Sequence, residues 1–317
     1  MRNIYPNIFK FNKKNLLRAQ KLLKKNNVIG VPTETVYGLA GNAYSEKSIK
    51  KIYKLKKRPK KNPLIVHYYD LKILKRDAII DKNFEKLYKK FSPGPLTYIL
   101  KKKSSSKLCN LTSSNLKSVA VRFPKNKIIR SILRNISFPL AIPSANISES
   151  ISPVRAKDII DDFGKKINFI FDGGFSKIGL ESTVINLIGK IQILRPGFIS
   201  PNEIGKVLKR KIIISKNFKK IRSPGLLKRH YSPGIPMKLN CKKNEYKAAF
   251  IVFGKKYKNK NNLFNLSPKG NLKEAAKNLY KIFRAIKKLK YKKINVVKIP
   301  NKGIGVAIND RLKKASR

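Results

Sequence analysis

Short apolar runs, each followed at once by small polar residues, recur along the N-terminal part of this chain and constrain its fold most. Val28–Val31 runs into the loop PTETVYGL at 32–39, and Leu140–Ile142 runs into PSAN at 143–146. Amphipathic segments separate such runs, which predicts buried strands alternating with helices in an α/β fold. Ligands bind outside the carboxyl ends of strands in open α/β sheets. The polar loops are therefore candidate ligand loops, with ordinary turns capped by hydroxyls as the alternative.

The helices between these strands carry recognisable start and stop signals. Ser45 is placed to cap a helix that Pro59 ends, because the residue before a proline disfavours helix. Pro153 suits the first turn of a helix through Asp162, with Ser152 as its cap, and that N-terminus is a candidate anion site. Other helices are predicted over 15–25, 82–91 and 201–209, and other strands over 64–67, 96–100, 118–124, 167–171, 184–187 and 191–194.

Two basic features lie inside this pattern. Lys54 to His67 reads KLKKRPKKNPLIVH and places cations between a helix and a strand, where a polyphosphate could bind. Its alternative is a solvated lysine face. Arg122 lies inside an apolar strand, where a cation is rare unless it is paired. It is either a clamp for a carboxylate, which its planar guanidinium suits, or an outward-facing residue of an edge strand.

The charge of the chain invites a nucleic-acid or anionic-membrane interpretation. Its 317 residues carry 75 Lys and Arg against 16 Asp and Glu, a net charge of +59. The lysines are spread from end to end and accompany many Asn and Ile, so base-composition bias is the competing explanation. A field this positive attracts polyanions at low salt under either explanation.

Cysteine and the N-terminus bear on the cellular setting. Cys109 and Cys241 are the only cysteines, and with two histidines they predict neither a disulfide framework nor a zinc site. The N-terminus has no apolar signal region, and no run approaches the length of a membrane span. These features predict a cytoplasmic protein without a membrane partner.

The chain divides into two predicted domains. A larger first domain is predicted over 1–212 and a small C-terminal parallel α/β domain over 237–317, in which strands and helices alternate over 248–253, 272–289, 294–299 and 307–315. The linker at 213–236 shows no helix or strand period. It nevertheless holds Arg229, His230 and Tyr231 side by side, which a passive linker does not need.

Several familiar catalytic motifs are missing from the sequence. It contains no G-x-x-x-x-G-K-[ST] phosphate loop, no G-x-G-x-x-G after a strand and no G-x-S-x-G elbow. What recurs is strand ends that bear Thr, Ser, Asn and Arg. Such a site has no obvious protein nucleophile, which favours transfer between two substrates by positioning and charge stabilisation.

The chain resembles the L-threonylcarbamoyladenylate synthases in their long form, a YrdC-like domain joined by a linker to a C-terminal domain. The resemblance rests on segments that occur in order along nearly the whole chain. They are PTETVYGLAGNA at 32–43, KKRPKKNPLIVH at 56–67, PGPLTYIL at 93–100, VAVRFP at 119–124, IPSANISE at 142–149, LESTVINL at 180–187, ILRPG at 193–197, SPGLLKRHYSP at 223–233 and GIGVAINDRLKKAS at 303–316.

The resemblance implies a fold and a reaction. The fold is a twisted, open, mixed sheet with helices, followed by a small Rossmann-like domain. The implied reaction joins L-threonine, bicarbonate and ATP into threonylcarbamoyl-AMP and releases pyrophosphate. It is the first step of threonylcarbamoyl modification of the tRNA adenosine beside the anticodon, and a tRNA threonylcarbamoyl transferase takes the product. Mg²⁺ is expected through the ATP phosphates, with no protein ligands.

The resemblance also implies roles for individual residues. The catalytic pair would be Lys56 and Arg58. The nucleotide-binding residues would be Arg58, Asn62, Ser118, Ser144, Ser152, Arg195 and Tyr231. The threonine-binding residues would be Thr35, His67, Arg122, Ile142 (through its backbone) and Ser182.

Two rival functions stay open at this point. The first is a non-catalytic RNA-binding maturation factor drawn by the positive charge, and weak RNA binding would also be compatible with the enzyme. The second is the hydrogenase-maturation carbamoyltransferase, which contains a YrdC-like domain within a larger protein. That protein also carries cysteine-rich zinc modules, and two lone cysteines argue against it.

Overall fold

The computed structural model describes residues 5–215, 230–257 and 261–317. These residues form a ten-stranded mixed sheet and a four-stranded parallel sheet, each with its helices. The predicted α/β architecture, with a second and smaller parallel domain, is confirmed. Within the described ranges, no helix combines the length and the apolar character needed to cross a membrane.

The large sheet has the strand order β1-β8-β2-β3-β7-β4-β6-β5-β9-β10. Strand β6 lies in its interior, parallel to β4 and antiparallel to β5. The strands are β1 (Ile8–Lys10), β2 (Ile29–Val31), β3 (Gly38–Asn42), β4 (Ile65–His67), β5 (Leu96–Lys101), β6 (Ser118–Arg122), β7 (Leu140–Ala141), β8 (Ile170–Asp172), β9 (Thr183–Asn186) and β10 (Gln192–Arg195).

Side chains cap most of the helices around this sheet. Ser45 Oγ accepts from the backbone N–H of Ser48, as predicted, and Ser200 caps its helix in the same way. The helices are α1 (Lys13–Lys24), α2 (Glu46–Lys56), α3 (Leu71–Asp77), α4 (Lys82–Phe91), α5 (Lys127–Arg134), α6 (Ala156–Phe163) and α7 (Pro201–Leu208).

Two predicted helix ends are wrong. Helix α6 begins at Ala156, because the Asp158 carboxylate accepts the free N–H groups of Val154 and Arg155 at 2.9 and 3.1 Å. Ser152 is therefore not its cap, and a carboxylate already occupies the predicted anion site. Helix α2 ends at Lys56, before Pro59, because Lys57 turns into the left-handed region at φ 49°.

The predicted ligand loop after β2 is also shorter than expected. It ends at Tyr37, since Gly38–Asn42 forms β3 and pairs antiparallel with β2. The pairing brings the loop back across the sheet, so that its polar residues Thr33, Glu34 and Thr35 are all buried. Such burial favours the ligand-loop interpretation over an exposed turn.

The second domain has its own parallel sheet, in the order β11-β14-β12-β13. Its core is continuous with the first domain, because Val36, Leu180 and Tyr231 pack in the same apolar cluster as helix α8. The elements are β11 (Met237–Leu239), β12 (Ala249–Val252), β13 (Leu263–Asn265), α8 (Leu272–Lys288), β14 (Ile294–Val296) and α9 (Gly305–Ala315).

Gly197, after β10, allows two backbone segments to meet behind the polar residues of β9. A Cβ added there would collide with the backbone of Ser182 and Thr183 and lie 2.7 Å from Glu181 O. We expect Gly197→Ala to lower the free energy of unfolding by about 1–3 kcal/mol, the scale for overpacking. Urea denaturation measures this. Gly189→Asn, at a hairpin with open space and φ +64°, is the control and is expected to stay near wild type. Equal losses in the two variants would contradict this explanation.

Candidate functional site

A small cavity of about 50 Å³ lies where the ligand loop, the ends of β6 and β10 and the His230–Tyr231 segment meet. Many of the predicted site residues line it. They are Thr35, Arg58, Arg122, Ile142, Ser144, Ser182, Arg195 and Tyr231, and the remaining lining residues are Val36, Ile65, Pro143, Glu181 and His230.

The basic stretch separates into buried and exposed cations. Lys56 and Arg58 are buried, whereas Lys54, Lys57, Lys60 and Lys61 are exposed. Lys56 Nζ lies 2.5 Å from Ser144 O and 2.6 Å from Asn146 O. It is thereby fixed beside the loop that follows β7.

Asn62 and Pro63 hold Arg58 in place. Its Nε donates to Asn62 O at 2.9 Å, and Nη2 donates to Asn62 Oδ1 at 2.6 Å and to Pro63 O at 2.8 Å. Asn62 lies behind the guanidinium rather than on the cavity wall, and its own Nδ2 is buried without a hydrogen-bond partner among the described residues.

Lys56, Arg58 and Arg195 form a cationic cluster at the cavity. Among the described residues, Arg195 donates to the backbone and hydroxyl of Ser182, at 3.0–3.1 Å. In the part of the chain that the structure describes, none of the three makes an ion pair. Burial and Arg58 hold the pKa of Lys56 well below its usual range, and burial and Arg195 lower the pKa of Arg58 to about 10. A bound anion would compensate this buried positive charge.

Arg122, in contrast, is paired. Its Nη2 donates to Glu34 Oε1 at 2.6 Å and its Nη1 to Thr35 Oγ1 at 2.9 Å. The other oxygen of Glu34 accepts from the backbone N–H groups of Lys125 and Asn126. Burial acts to raise the pKa of Glu34, but the Arg122 charge and hydrogen bonds outweigh it and lower that pKa. The edge-strand alternative for Arg122 is wrong, because β6 is interior.

His67 lies beside Arg122 in the parallel register of β4 and β6. Burial and the Arg122 charge lower its pKa well below the usual value, so the ring is neutral. Its Nδ1 is 3.2 Å from Ile65 O, and a carbonyl oxygen only accepts, so Nδ1 carries the proton. Buried Nε2 has no partner among the described residues and is an acceptor.

One face of the large sheet extends from this cavity as an apolar floor of Ile65, Ile99, Ala120, Val184 and Leu194. Ser118 and Arg122 belong to the same face of β6, since side chains alternate along a strand. Ser118 is at the opposite end of the strand, about 13 Å from Arg122 at 3.3 Å per residue. It therefore does not line the cavity.

The sequence interpretation missed Glu181, the second carboxylate at the cavity. Ser152 Oγ donates to Glu181 Oε1 at 2.5 Å, which places predicted Ser152 against the cavity wall through this contact. Arg311 and Tyr280, from the C-terminal domain, also bind the Glu181 carboxylate. The sequence did offer one sign of Glu181, because it is an acidic residue within the LESTVINL segment of a chain that has only 16 Asp and Glu.

Tyr231 closes one side of the cavity. Its ring is buried and stacks on His230 at 4.0 Å and on Tyr280 at 5.9 Å, and its hydroxyl has no partner among the described residues. Its backbone has a positive φ of 65°. Residues 216–229 of the predicted linker lie outside the described residues. The predicted part of Arg229 in this segment therefore stays a prediction.

The residues at the cavity do not supply a metal-ligand set. Glu34 and Glu181 are each engaged by an arginine. Elsewhere in the described ranges, no group of three or more His, Cys, Asp or Glu could hold a metal ion. Any Mg²⁺ would have to be held by a bound triphosphate, and we derive no step through it.

Comparison with known proteins gives the family. The model described as "Telomere recombination", for Sua5, YciO and YrdC, matches residues 21–197, and "Threonylcarbamoyl-AMP synthase, C-terminal domain" matches residues 199–317. The threonylcarbamoyl-AMP synthase of Pyrococcus abyssi is 35% identical over 94% of this chain and 93% of its own length. That of Bacillus subtilis is 33% identical over 95% and 92%.

A solved structure agrees over the whole chain. The crystal structure of P. abyssi Sua5 complexed with L-threonine is 32% identical, with a TM-score of 0.89, and covers 98% of this chain and 96% of its own. The fold, the two family models and the full-length relatives agree. The chain belongs to the threonylcarbamoyl-AMP synthase family and is an enzyme of the nucleotidyltransferase type.

Proposed function

We propose that this enzyme condenses L-threonine, bicarbonate or CO₂ and ATP into L-threonylcarbamoyladenylate, with release of pyrophosphate. The observation that carries the proposal is the cationic cluster of Lys56, Arg58 and Arg195, which is buried and makes no ion pair among the described residues, beside the separately paired Arg122. A cluster without an ion pair suits a polyphosphate, and a pre-oriented guanidinium suits a carboxylate. The same cavity thus has a place for each substrate.

The nucleotide side contains the cationic cluster. Lys56 and Arg58 bind the phosphates, Arg195 supports them and Asn62 keeps Arg58 oriented. The hydroxyl group of Ser144, whose carbonyl holds Lys56, contacts the nucleotide, and so does that of Ser152, which lies against Glu181. Tyr231 covers it, and Ser118 receives the far end of the nucleotide along the apolar floor.

The threonine side is organised by Arg122. Its guanidinium binds the threonine carboxylate, while Glu34 fixes its orientation. Thr35, Ser182 and the backbone of Ile142 surround the rest of the amino acid. The free Nε2 of neutral His67 accepts a hydrogen bond from the threonine amine, which suits an acceptor with no other partner.

The reaction needs no protein nucleophile. The neutral threonine amine attacks the carbon of CO₂ and forms a carbamate with loss of one proton to water, or it attacks bicarbonate and forms the same carbamate with loss of water. A carbamate oxygen then attacks the α-phosphorus of ATP in line, and pyrophosphate leaves with the bonding electrons. The cations offset the repulsion between two anions, and the mixed anhydride needs shielding from water, to which the Tyr231 ring over the cavity contributes. Mg²⁺ enters on the triphosphate.

The product would pass to a tRNA threonylcarbamoyl transferase, for modification of the adenosine beside the anticodon. Membership of an enzyme family removes the support for a purely non-catalytic RNA-binding role. Weak RNA contact by the exposed lysines remains part of the proposal, as does a cytoplasmic location, with half-buried Cys109 and Cys241 both free thiols.

Release of pyrophosphate tests the proposal. The purified chain with Mg²⁺ and ATP is expected to release it only when L-threonine and bicarbonate are both added. L-valine, which matches threonine in shape but lacks the hydroxyl, is the control and is expected to support much slower release. Release that is indifferent to L-threonine would contradict the proposed reaction.

A further inference from the structure

The C-terminal domain reaches the cavity wall through one buried arginine. Arg311 on α9 is 0% exposed, and its Nε donates to Glu181 Oε2 at 2.9 Å. Its Nη1 donates to Pro196 O at 3.0 Å and to Asp310 Oδ2 at 2.6 Å. Arg311 thus links Pro196, which follows Arg195, to Glu181, which precedes Ser182.

A second residue of this domain supports the same carboxylate. Tyr280 OH on α8 lies 3.1 and 3.0 Å from the two oxygens of Glu181. Ser152 supplies the remaining contact from the first domain. Glu181 is buried, so its charge depends on these partners and on the nearby Arg195 charge. Among the described residues, the C-terminal domain supplies two of its three hydrogen-bonding side chains.

The Arg311 guanidinium also packs on the residue that closes the cavity. Its Cζ lies 4.9 Å from the centroid of the Tyr231 ring, within the range of a cation–π contact. The Tyr231 ring stacks on Tyr280 on the same side. One arginine therefore fixes both Glu181 and Tyr231, which line the nucleotide side of the cavity.

We propose that Arg311 is a positioning residue for ATP, and that the C-terminal domain completes the catalytic site by holding Glu181 and Tyr231 through it. Arg311 acts on the nucleotide side, because Ser152 and Tyr231 belong there. It makes no contact with Arg122, Glu34 or Thr35 on the threonine side. The assignment of these two sides rests on the proposed function.

The test compares two arginines of the C-terminal domain. Arg311→Met keeps much of the side-chain volume and removes the charge. We expect it to raise KM for ATP about tenfold or more, the scale for losing a charge-assisted contact, with KM for L-threonine changed by about twofold or less.

Arg284→Met is the matched control. Arg284 on α8 is 14% exposed and binds Asp162 and Ile151 O across the same domain boundary, without contact to Glu181 or Tyr231. The Arg284→Met variant is expected to leave KM for ATP and KM for L-threonine within about twofold of wild type.

Equal increases in KM for ATP in the two variants would mean that Arg311 acts only by docking the domains, and would overturn the proposal. An unchanged KM for ATP in Arg311→Met would overturn it too.

If Arg311→Met fails to fold, the test uses Tyr280→Phe, which removes only the hydroxyl that binds Glu181. This variant must then itself raise KM for ATP. Calorimetric titration of each variant with a non-hydrolysable ATP analogue gives a readout that does not require product formation. If wild type forms no product, the proposed function fails, while weaker analogue binding by Arg311→Met still supports this role.

Discussion

Replacing Arg122 by methionine is expected to lower the free energy of unfolding by about 3–5 kcal/mol at neutral pH, the scale for removing one partner of a buried ion pair. The cause is Glu34, which would stay buried with its charge and keep backbone N–H groups, those of Lys125 and Asn126 among them, but no cation. Urea denaturation at pH 7 measures the loss. L-threonine should then no longer protect the variant against unfolding, because its carboxylate has lost the guanidinium.

The pH dependence identifies the cause of this loss. In the wild type the pKa of Glu34 is lowered from 4.5, so its stabilising contribution is present above about 4.5 and is lost as the pH falls through the folded-state pKa. In Arg122→Met the dominant effect is burial, which raises that pKa above the unfolded value. The variant therefore gains stability as Glu34 takes up a proton. The difference in the free energy of unfolding between wild type and Arg122→Met should become smaller towards acid pH.

A double variant supplies the control. Glu34→Gln combined with Arg122→Met removes both charges and keeps the shapes, so most of the lost stability should return. The buried charge of Glu34 would not be the cause if the difference in the free energy of unfolding between wild type and Arg122→Met were constant with pH. The same would follow if the double variant were as unstable as the single one.

Replacing Arg58 by methionine is expected to lower kcat/KM for ATP by about ten- to a hundredfold, corresponding to the 1.5–3 kcal/mol of a hydrogen bond to a charged group. One cation of the cluster is lost, and Asn62 and Pro63 lose the donor to three buried oxygens. Initial rates at subsaturating ATP measure the effect, while KM for L-threonine should change little.

Exposed lysines of the same stretch are the natural control for Arg58. Lys61 lies three residues away and is exposed. Lys61→Met removes the same charge and should change kcat/KM for ATP by about twofold or less, because exposed charges are screened by solvent. Similar losses in the two variants would mean that the overall positive field, rather than the buried cluster, attracts ATP.

Much of the fold is legible in local sequence signals. Helix α4 lies over the predicted residues, α7 begins at Pro201 as predicted, and β9 and β10 overlap the strands predicted over 184–187 and 191–194. Strand β3 was missed, because GLAGN lacks the β-branched residues that mark a strand. It forms because β2 and β7 lie on either side to pair with it.

The site was legible where its residues are close in the chain. Lys56 and Arg58 stood out from their neighbours only by resemblance, and the structure adds the physical difference, which is burial. The contact between Glu181 and Arg311 spans 130 residues. No local pattern predicts such a pairing, and for that reason no residue of the C-terminal domain was among the predicted site residues.

The most direct test of the two-sided site uses bicarbonate that carries a heavy carbon isotope, together with L-threonine, ATP and Mg²⁺. Mass spectrometry of the nucleotide products is expected to show an adenylate that contains threonine and the heavy carbon, formed in step with pyrophosphate. The same product should be scarce with Arg58→Met. An adenylate without the heavy carbon, or threonine adenylated directly on its carboxylate, would contradict the account.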